Sequence, residues 1–166
     1  MKYEFGYGNT TQSVEIDDRN LLAELLPNPV PGVENEVSEV ERALQEPIGA
    51  PKLSEVVHPG EKIAIVTSDI TRPMPTAKVM PALIAELEAG GVRKEDMTLV
   101  FALGSHRKQT PEEKRKLAGD YAFEHLNVVD SDPEDCVHLG VTSRGTPVDI
   151  TRVVAEADRV ICFGNI

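Results

Sequence analysis

Cysteine is scarce in this sequence, with only Cys136 and Cys162 among 166 residues. The two form neither a second pair nor the spacing of a metal-ligand motif, so no disulfide framework or cysteine-based metal site is expected. Cys162 lies within residues 159–163, a run typical of a buried strand. We therefore expect Cys162 to be a small residue of the core.

Basic residues are also few: 17 lysines and arginines stand against 28 aspartates and glutamates, which gives a net charge of -11. Nucleic acids and anionic membranes favour clustered lysine and arginine, so neither is an expected partner. No stretch approaches the roughly 18 apolar residues that span a bilayer. Residues 1–5 lack the apolar core of a signal peptide, and the sequence therefore predicts a cytoplasmic protein.

Two polar motifs follow apolar runs that predict buried strands. Residues 62–66 (Lys-Ile-Ala-Ile-Val) precede the motif Ser-Asp-Ile-Thr-Arg-Pro at residues 68–73, and residues 97–103 precede Gly-Ser-His-Arg at residues 104–107. Short continuous apolar runs are typical of strands in a parallel sheet that is covered on both faces. Since the carboxyl ends of such strands meet at one edge, where open α/β sheets bind ligands, we expect both motifs to share one cleft.

This cleft would bring together a carboxylate, two guanidiniums and an imidazole, from Asp69, Arg72, Arg107 and His106. Taken alone, Asp69 and Arg72 are more typical of a capped loop with a surface ion pair, and His106 of a structural histidine. Their placement after consecutive predicted strands favours a functional site, because two independent loops would otherwise have to bring such side chains to the same edge of the sheet by accident. For Arg107, a role in the site and a pairing with a nearby acid both remain open.

Alternating strand and helix signals predict an α/β, Rossmann-like fold, with a mostly parallel sheet flanked by helices and with added antiparallel hairpins. Residues 79–87 carry apolar side chains at helical spacing, between a cap at Thr76 and the glycines at residues 90–91. The stretch Thr-Pro-Glu-Glu at residues 110–113 combines an N-cap, a proline at the first helical position and a capping-box glutamate. Residues 126–129 predict a third strand.

Both ends of the chain predict antiparallel hairpins. Residues 1–8 and 12–16 indicate two strands around a Gly-Asn-Thr-Thr turn, and residues 136–142 and 146–150 flank a Ser-Arg-Gly turn. Thr151 is then expected to cap a short helix that ends at Ala157 and leads into the last strand.

The chain is expected to form one domain. Residues 1–60 would contribute N-terminal strands and a helix, and residues 61–166 a Rossmann-like core that carries the motifs. Four apolar residues of the first part are spaced as a helical stripe, which predicts packing against the core. They are Val33, Val37, Val40 and Leu44.

Prolines are expected to keep the turn after the first parallel strand open. Pro73 disfavours helical backbone angles at Arg72, and Pro75 has the same effect on Met74. An extended turn of this kind can point successive side chains and amide groups into a cleft.

From about Asp69 to its end, the sequence resembles the N-terminal half of the nickel-dependent lactate racemase family. Members carry an Asp-x-Thr-Arg-Pro turn and a Gly-Thr-His-Arg turn at about this separation. Ser105 stands here where threonine is usual, and it keeps the hydroxyl group. The resemblance extends to residues 110–113 and to the closing stretch 145–166, whereas the residues before position 61 match only loosely.

The resemblance implies an isomerase that interconverts the enantiomers of a 2-hydroxy acid. Its cofactor would be a nickel pincer nucleotide (nickel pyridinium-3,5-bisthiocarboxylate mononucleotide), which takes a hydride from C2 of the substrate and returns it to the other face. His106 would be one of two histidines that move the hydroxyl proton, and Arg72 would hold the substrate carboxylate. The cofactor would be lined by Asp69, Ile70, Thr71 and Arg72. Ile70 would act through its backbone alone.

The family's other site residues follow the position of Ile166. They are a second catalytic histidine, a Gly-Gly-x-Lys stretch whose lysine is bonded to the cofactor, and the histidine that ligates nickel. No metal ligand is therefore expected in this chain, and His58, His125 and His138 are expected to be structural or solvent-facing. We expect a missing C-terminal domain to complete the site, and these residues alone to bind no cofactor and to be inactive.

Two functions remain open from the sequence. One is the racemase half, and the other is a non-catalytic Rossmann-like module that uses residues 69–72 to hold a phosphate-bearing small ligand. Phosphate sites usually draw on glycine-rich turns, but the sequence contains neither Gly-x-Gly-x-x-Gly nor a P-loop, which favours the racemase. Thr142 and Thr146 are additional candidates for contact with the nucleotide.

Overall fold

The structure is a computed structural model that describes residues 1–72 and 74–164. Pro73 lies outside the described residues, so its predicted effect on Arg72 stays a prediction. The closing residues 165–166, which form part of the family resemblance, also lie outside them.

The chain divides into two compact units, Met1–Gly32 and Val33–Ile166. Residues 33–60 belong to the second unit in this division. The assignment of residues 1–60 and 61–166 to one domain stays a prediction.

The first unit is built on an antiparallel hairpin. Its strands are β1 (Lys2–Tyr7) and β2 (Thr10–Glu15). They pair from Lys2 opposite Glu15 to Tyr7 opposite Thr10, and Gly8 has a φ of +59° in the turn. The predicted N-terminal hairpin is therefore confirmed, as a small sheet of its own.

The second unit alternates strands and helices. Its strands are β3 (Ile63–Ser68), β4 (Met97–Ala102), β5 (Asn127–Asp130), β6 (Cys136–Val141), β7 (Pro147–Thr151) and β8 (Arg159–Cys162). Its helices are α1 (Glu36–Gln45), α2 (Leu53–Val56), α3 (Thr76–Ala89), α4 (Pro111–Ala118), α5 (Asp120–His125) and α6 (Arg152–Ala155). A four-stranded parallel sheet has the order β5-β4-β3-β8, and β6 pairs with β7 as a separate antiparallel hairpin. The predicted α/β fold is confirmed. None of the helices in the described part of the chain is long and apolar enough to cross a membrane.

The strand order determines where ligands can bind. The chain runs from β3 outward through β4 to β5, and then returns to add β8 on the other side of β3. Because such crossovers are right-handed, we expect α3, α4 and α5 on one face of the sheet and α6 on the other. The order reverses between β3 and β8, so a crevice is expected at the carboxyl ends of these two strands.

The core lies between the sheet and α3. Ile63 and Ile65 of β3 stand opposite Met97 and Leu99 of β4, so all four side chains point to the same face. They are buried and pack against an apolar stripe on α3. This stripe consists of Met80, Leu83, Ile84 and Leu87, with half-buried Val79 at its edge. The predicted helical face is therefore confirmed.

Helix α4 begins as the sequence predicts. Thr110 Oγ1 accepts a hydrogen bond from the Glu113 N–H at 3.2 Å, and the Glu113 carboxylate accepts one from the Thr110 N–H at 2.9 Å. The prediction that Thr76 caps α3 is wrong, because Thr76 is the first residue inside the helix. Its buried hydroxyl lies 3.3 Å from the hydroxyl of Thr67, a contact that ties α3 to β3.

The predicted apolar stripe of the N-terminal part faces the core only in its second half. Val40 and Leu44 of α1 are half-buried, and Leu44 packs against the core. Val33 is 55% exposed and Val37 is 49% exposed. The prediction for these two residues is wrong, because α1 begins only at Glu36 and approaches the core with its later turns.

The predicted C-terminal hairpin is confirmed in β6 and β7, and Gly145 has a φ of +82° in its turn. Thr151 precedes α6, but the prediction that its side chain caps this helix is wrong. Its hydroxyl instead accepts a hydrogen bond from the Asp132 N–H at 3.2 Å. Helix α6 also ends at Ala155, before the predicted Ala157.

Cys162 is exposed, so the prediction that it is a core residue is wrong. Strand β8 pairs only with β3 among the described strands, which makes it an edge of the parallel sheet. Within β8 only Ile161 packs against the core. An edge strand whose second face is not covered leaves alternate side chains open to solvent.

Gly119 separates α4 from α5 with a φ of +78° and a ψ of 155°, a combination that is almost restricted to glycine. A Cβ added at Gly119 would lie 2.9 Å from the Cβ of Ala77 on α3. We predict that Gly119→Ala lowers the free energy of unfolding by about 2 to 3 kcal/mol, through backbone strain and this close contact. Urea denaturation measures the change.

Gly145→Ala is the matched control. Gly145 also has a positive φ, of +82°, but an added Cβ there would meet nothing within 4 Å. We expect a loss of about 1 kcal/mol from backbone strain alone. Equal losses in the two variants would show that the approach of Gly119 to Ala77 contributes nothing.

Candidate active site

A cleft of about 420 Å³ opens at the carboxyl edge of the parallel sheet, where the strand order reverses. It is formed by the ends of β3, β4 and β8 and the residues that follow them. Its lining consists of Val66, Thr67, Ser68, Asp69, Arg72, Ala102, Leu103, Gly104, His106, Cys162, Phe163 and Gly164. The prediction that Arg72 and His106 share one cleft at this edge is confirmed. Their chemical roles stay predictions.

The residues after β3 form a tight turn that fixes the Asp69 side chain, so the prediction of an open turn is wrong for residues 69–72. The Asp69 carbonyl oxygen accepts a hydrogen bond from the Arg72 N–H at 3.2 Å. Asp69 Oδ1 accepts bonds from the Thr71 hydroxyl at 2.7 Å and from the Thr71 N–H at 3.2 Å. A short acidic side chain that bonds the backbone two residues ahead is a common way to stabilise a turn. One oxygen of the carboxylate is thereby oriented by its own turn.

The other oxygen of Asp69 holds His106. Asp69 Oδ2 lies 2.8 Å from His106 Nδ1, and the Asp69 side chain is 4% exposed whereas that of His106 is 49% exposed. Burial is the largest influence on the pKa of Asp69 and raises it, but hydrogen bonds from Thr71 and His106 together outweigh burial and leave the pKa below its usual value. An ionised carboxylate only accepts hydrogen bonds, so Nδ1 carries the proton and donates it.

This arrangement determines the tautomer of the imidazole. With the proton on Nδ1, the neutral ring presents Nε2 as a basic lone pair. Nε2 of His106 makes no hydrogen bond to any described residue, and His106 lines the cleft. The pair therefore leaves Nε2 as a hydrogen-bond acceptor on a residue that lines the cleft.

The two arginines of the motifs have different surroundings. Arg72 lines the cleft, is exposed, and forms no ion pair within residues 1–72 and 74–164. Arg107 instead donates to both oxygens of Glu113, at 2.8 and 2.7 Å. Arg107, together with the Thr110 N–H, lowers the pKa of Glu113 to about 2. Arg107 therefore holds the start of α4, whereas Arg72 lines the cleft.

The remaining predicted residues lie outside the lining. Ile70 packs against the core, and its N–H donates at 3.0 Å to Gln109 Oε1. Thr71 contacts Asp69 and His106 without lining the cleft. Thr142 and Thr146 bond to each other across the turn between β6 and β7. The side chains of His58, His125 and His138 are exposed.

Gln109 was not identified from the sequence. It is 6% exposed, accepts the bond from Ile70, and donates to Asp130 from both its backbone N–H and its side-chain amide. The local sequence gives one weak signal, an amide side chain placed directly before the cap of α4. Within the described ranges, no group of three or more His, Cys, Asp or Glu residues is arranged to hold a metal ion.

Comparison with known proteins shows the family of the chain. The family described as "Lactate racemase N-terminal domain" matches residues 7–166. The chain belongs to this family. The resemblance found in the two motifs is thus confirmed over almost the whole chain.

Two lactate racemases are among its relatives. The protein of Lactiplantibacillus plantarum is 32% identical over 166 residues, and that of Thermoanaerobacterium thermosaccharolyticum is 27% identical over 169 residues. The alignments cover 96% and 98% of this chain, but the chain spans only 39% of the length of each relative. The lactate racemase apoprotein structure from T. thermosaccharolyticum has a TM-score of 0.79 at 27% identity, over 98% of this chain and 38% of that one.

Asp69→Asn should lower the free energy of unfolding at neutral pH by about 1 to 3 kcal/mol, because it weakens buried hydrogen bonds to a charged group. The folded pKa of Asp69 lies below its unfolded value. The stabilisation of the fold by ionised Asp69 is therefore complete above the unfolded pKa, about 3.9, and is lost as the pH falls through the folded pKa. Urea denaturation at a series of pH values from about 7 to about 2 measures the change. The difference in the free energy of unfolding between wild type and variant should become smaller at low pH.

Asp149→Asn is the control for this series. His138 Nδ1 and Asp149 Oδ1 are 2.7 Å apart, but the two side chains are 57% and 50% exposed. An exposed pair contributes about 0 to 1 kcal/mol, so this variant should stay close to wild type at every pH. A deficit of Asp69→Asn that stays constant to the lowest pH would contradict the assignment of an ionised Asp69.

Proposed function

We propose that the protein to which this chain belongs racemises a 2-hydroxy acid with a nickel pincer nucleotide as its cofactor, and that the cleft binds both. The observation that carries the proposal is His106, whose Nδ1 is held 2.8 Å from buried Asp69 while Nε2 is left for a ligand in the cleft that Arg72 also lines. Membership of the lactate racemase N-terminal domain family supports the reaction class.

The residues of the cleft fit a nucleotide and a small hydroxy acid. The cleft lies where the strand order reverses, which is where doubly wound sheets hold mononucleotides, and its volume of about 420 Å³ falls in the usual range for such ligands. Small residues, Ala102, Gly104 and Gly164, lie along its wall. An added Cβ at Gly164 would come 3.5 Å from Ser68 Oγ and would take up some of this space.

His106 would act as the base. When bound, the cofactor would supply the reversible hydride acceptance that lets C2 of the substrate change configuration. Removal of a hydride from C2 leaves a ketone only if the hydroxyl group also loses its proton. Nε2 of His106 would take this proton, and the ionised Asp69 at Nδ1 would stabilise the imidazolium. Return of the hydride to C2 and of the proton to oxygen would restore the 2-hydroxy acid.

Arg72 would orient the substrate. A guanidinium binds a carboxylate through two parallel N–H donors in one plane. With the carboxylate held by Arg72 and the hydroxyl at His106, C2 is placed between the two side chains. Asp69, Ile70 and Thr71 are proposed to support the cofactor from this same turn.

We further propose that the C-terminal part of the complete protein supplies the metal ligand and a second histidine. Racemisation needs a proton donor and acceptor for each enantiomer, because the hydroxyl group points in a different direction when C2 is inverted. His106 would serve one of these positions. The length of the lactate racemase relatives, of which this chain spans 39%, leaves room for such a part.

His106→Ala in the complete protein should reduce racemisation by roughly 10²- to 10⁴-fold, the usual contribution of a general base. The fold and the loading of the cofactor should be intact, because the side chain lies on a turn outside the core. Turnover is measured from each enantiomer of a panel of 2-hydroxy acids, and both directions should be depressed.

His138→Ala provides the matched control, since His138 also pairs with an aspartate but lies on the hairpin outside the cleft. This variant should keep wild-type turnover. A His106→Ala protein that is folded, loaded and within a few-fold of wild type would remove the catalytic role of His106. Nucleotide binding by a wild-type protein that racemises no 2-hydroxy acid would favour the phosphate-binding module.

Arg72→Lys should raise KM for the substrate by about 10- to 100-fold, with a smaller effect on kcat, because one of two charge-assisted hydrogen bonds is lost. Initial rates over a range of substrate concentrations separate the two constants.

Arg107→Lys serves as the comparison, because Arg107 pairs with Glu113 and does not line the cleft. It should leave KM unchanged and cost only stability at the start of α4. An unchanged KM in Arg72→Lys would contradict the assignment of the carboxylate to Arg72.

A further inference from the structure

Gln109 joins the ends of three parallel strands. Its side-chain oxygen accepts a hydrogen bond from the Ile70 N–H, in the turn after β3, at 3.0 Å. Its side-chain amide and its own backbone N–H each donate to Asp130, at the end of β5, at 2.9 Å. Gln109 itself belongs to the loop after β4. These bonds are named here the Gln109 bridge.

The bridge is buried, and the oxygen and the nitrogen of the Gln109 side chain each have a partner. Gln109 is 6% exposed, and the Asp130 side chain is also 6% exposed. Every polar atom of the Gln109 side chain is directed by its partner, since the oxygen must face the Ile70 N–H and the amide must face the carboxylate. A buried group of this kind is costly to leave unpaired, so the bridge has one favoured geometry.

The bridge is independent of the proton on His106. Within the described residues, the other hydrogen bonds between the turn at residues 69–72 and the loop at residues 103–110 all end on His106. Those bonds change in strength whenever the imidazole gains or loses a proton. The bond from Ile70 to Gln109 does not.

We propose that Gln109 and Asp130 are positioning residues for the reaction, and that they hold the turn of Arg72 at a fixed distance from the loop of His106 through the proton-transfer cycle. This inference rests on the proposed racemase function. A misplacement of about 1 Å between catalytic and binding groups can cost roughly 10²-fold in rate. Gln109 and Asp130 do not line the cleft, so they would act on kcat through the relative placement of Arg72 and His106.

Exchange of the two partners gives a direct test. Gln109→Glu places two carboxylates against each other, and Asp130→Asn leaves one acceptor for two donors. In the double variant Gln109→Glu/Asp130→Asn, the new amide of residue 130 donates to the new carboxylate of residue 109. That carboxylate still accepts from Ile70, so the bridge is restored with the direction of one bond reversed.

In the complete, cofactor-loaded protein, each single variant should lose roughly 10- to 100-fold in kcat. The double variant should return to within about threefold of wild type, because the two sites are directly coupled. Hydrogen exchange of the Ile70 amide is the second readout and does not depend on activity. It should be faster in each single variant and slow again in the double variant.

Lys108→Ala is the control, since Lys108 pairs with Asp132 at 2.8 Å and joins the same two loops through an exposed lysine. It should leave kcat and the exchange of Ile70 unchanged. Single variants with wild-type kcat, or a double variant no better than the worse single variant, would overturn the proposal. If the variants show the expected exchange of the Ile70 amide but the wild-type protein has no racemase activity, the result would support the bridge and overturn the racemase assignment.

Discussion

Parallel pairing of β3 with β4 on one side and with β8 on the other determines where the polar groups of the site lie. The register runs from Ile63 opposite Met97 to Ser68 opposite Ala102, and Val66 lies opposite Cys162. Because the strands are parallel and in step, the residues that follow each strand leave the sheet at the same edge. The strand register therefore determines where the polar residues of the cleft lie.

The elements with strong local signals could be predicted from the sequence. The apolar run that became β3 and the Thr-Pro-Glu-Glu start of α4 each carry their own physical reason within a few residues. The shared cleft could also be predicted, because it depends only on the strand order and on which residues follow each strand. The predictions for Thr76 and Cys162 are wrong because the surroundings of both residues depend on other strands and not on their neighbours in sequence. Thr76 contacts Thr67 of β3, and Cys162 lies on a strand at the edge of the sheet.

The hydrogen bonds around the site also depend on residues that are far apart in the sequence. Ile70 bonds to Gln109, which is 39 positions away in the chain, and Gln109 bonds to Asp130 a further 21 positions on. Such contacts between side chains and distant backbone have no periodicity that a sequence can show. They become visible only when the ends of the three strands are placed side by side.

Two His–Asp pairs of nearly equal length show why position matters more than residue type. His106 and Asp69 are 2.8 Å apart, and His138 and Asp149 are 2.7 Å apart, but the Asp69 side chain is 4% exposed and that of Asp149 is 50% exposed. Water competes for an exposed carboxylate, so the interaction of His138 with Asp149 is the weaker of the two. At Asp69 the turn supplies further donors and the core excludes water, so the imidazole keeps one orientation. The same two residue types thus form an oriented pair at the end of buried strands and an ordinary surface contact on a hairpin.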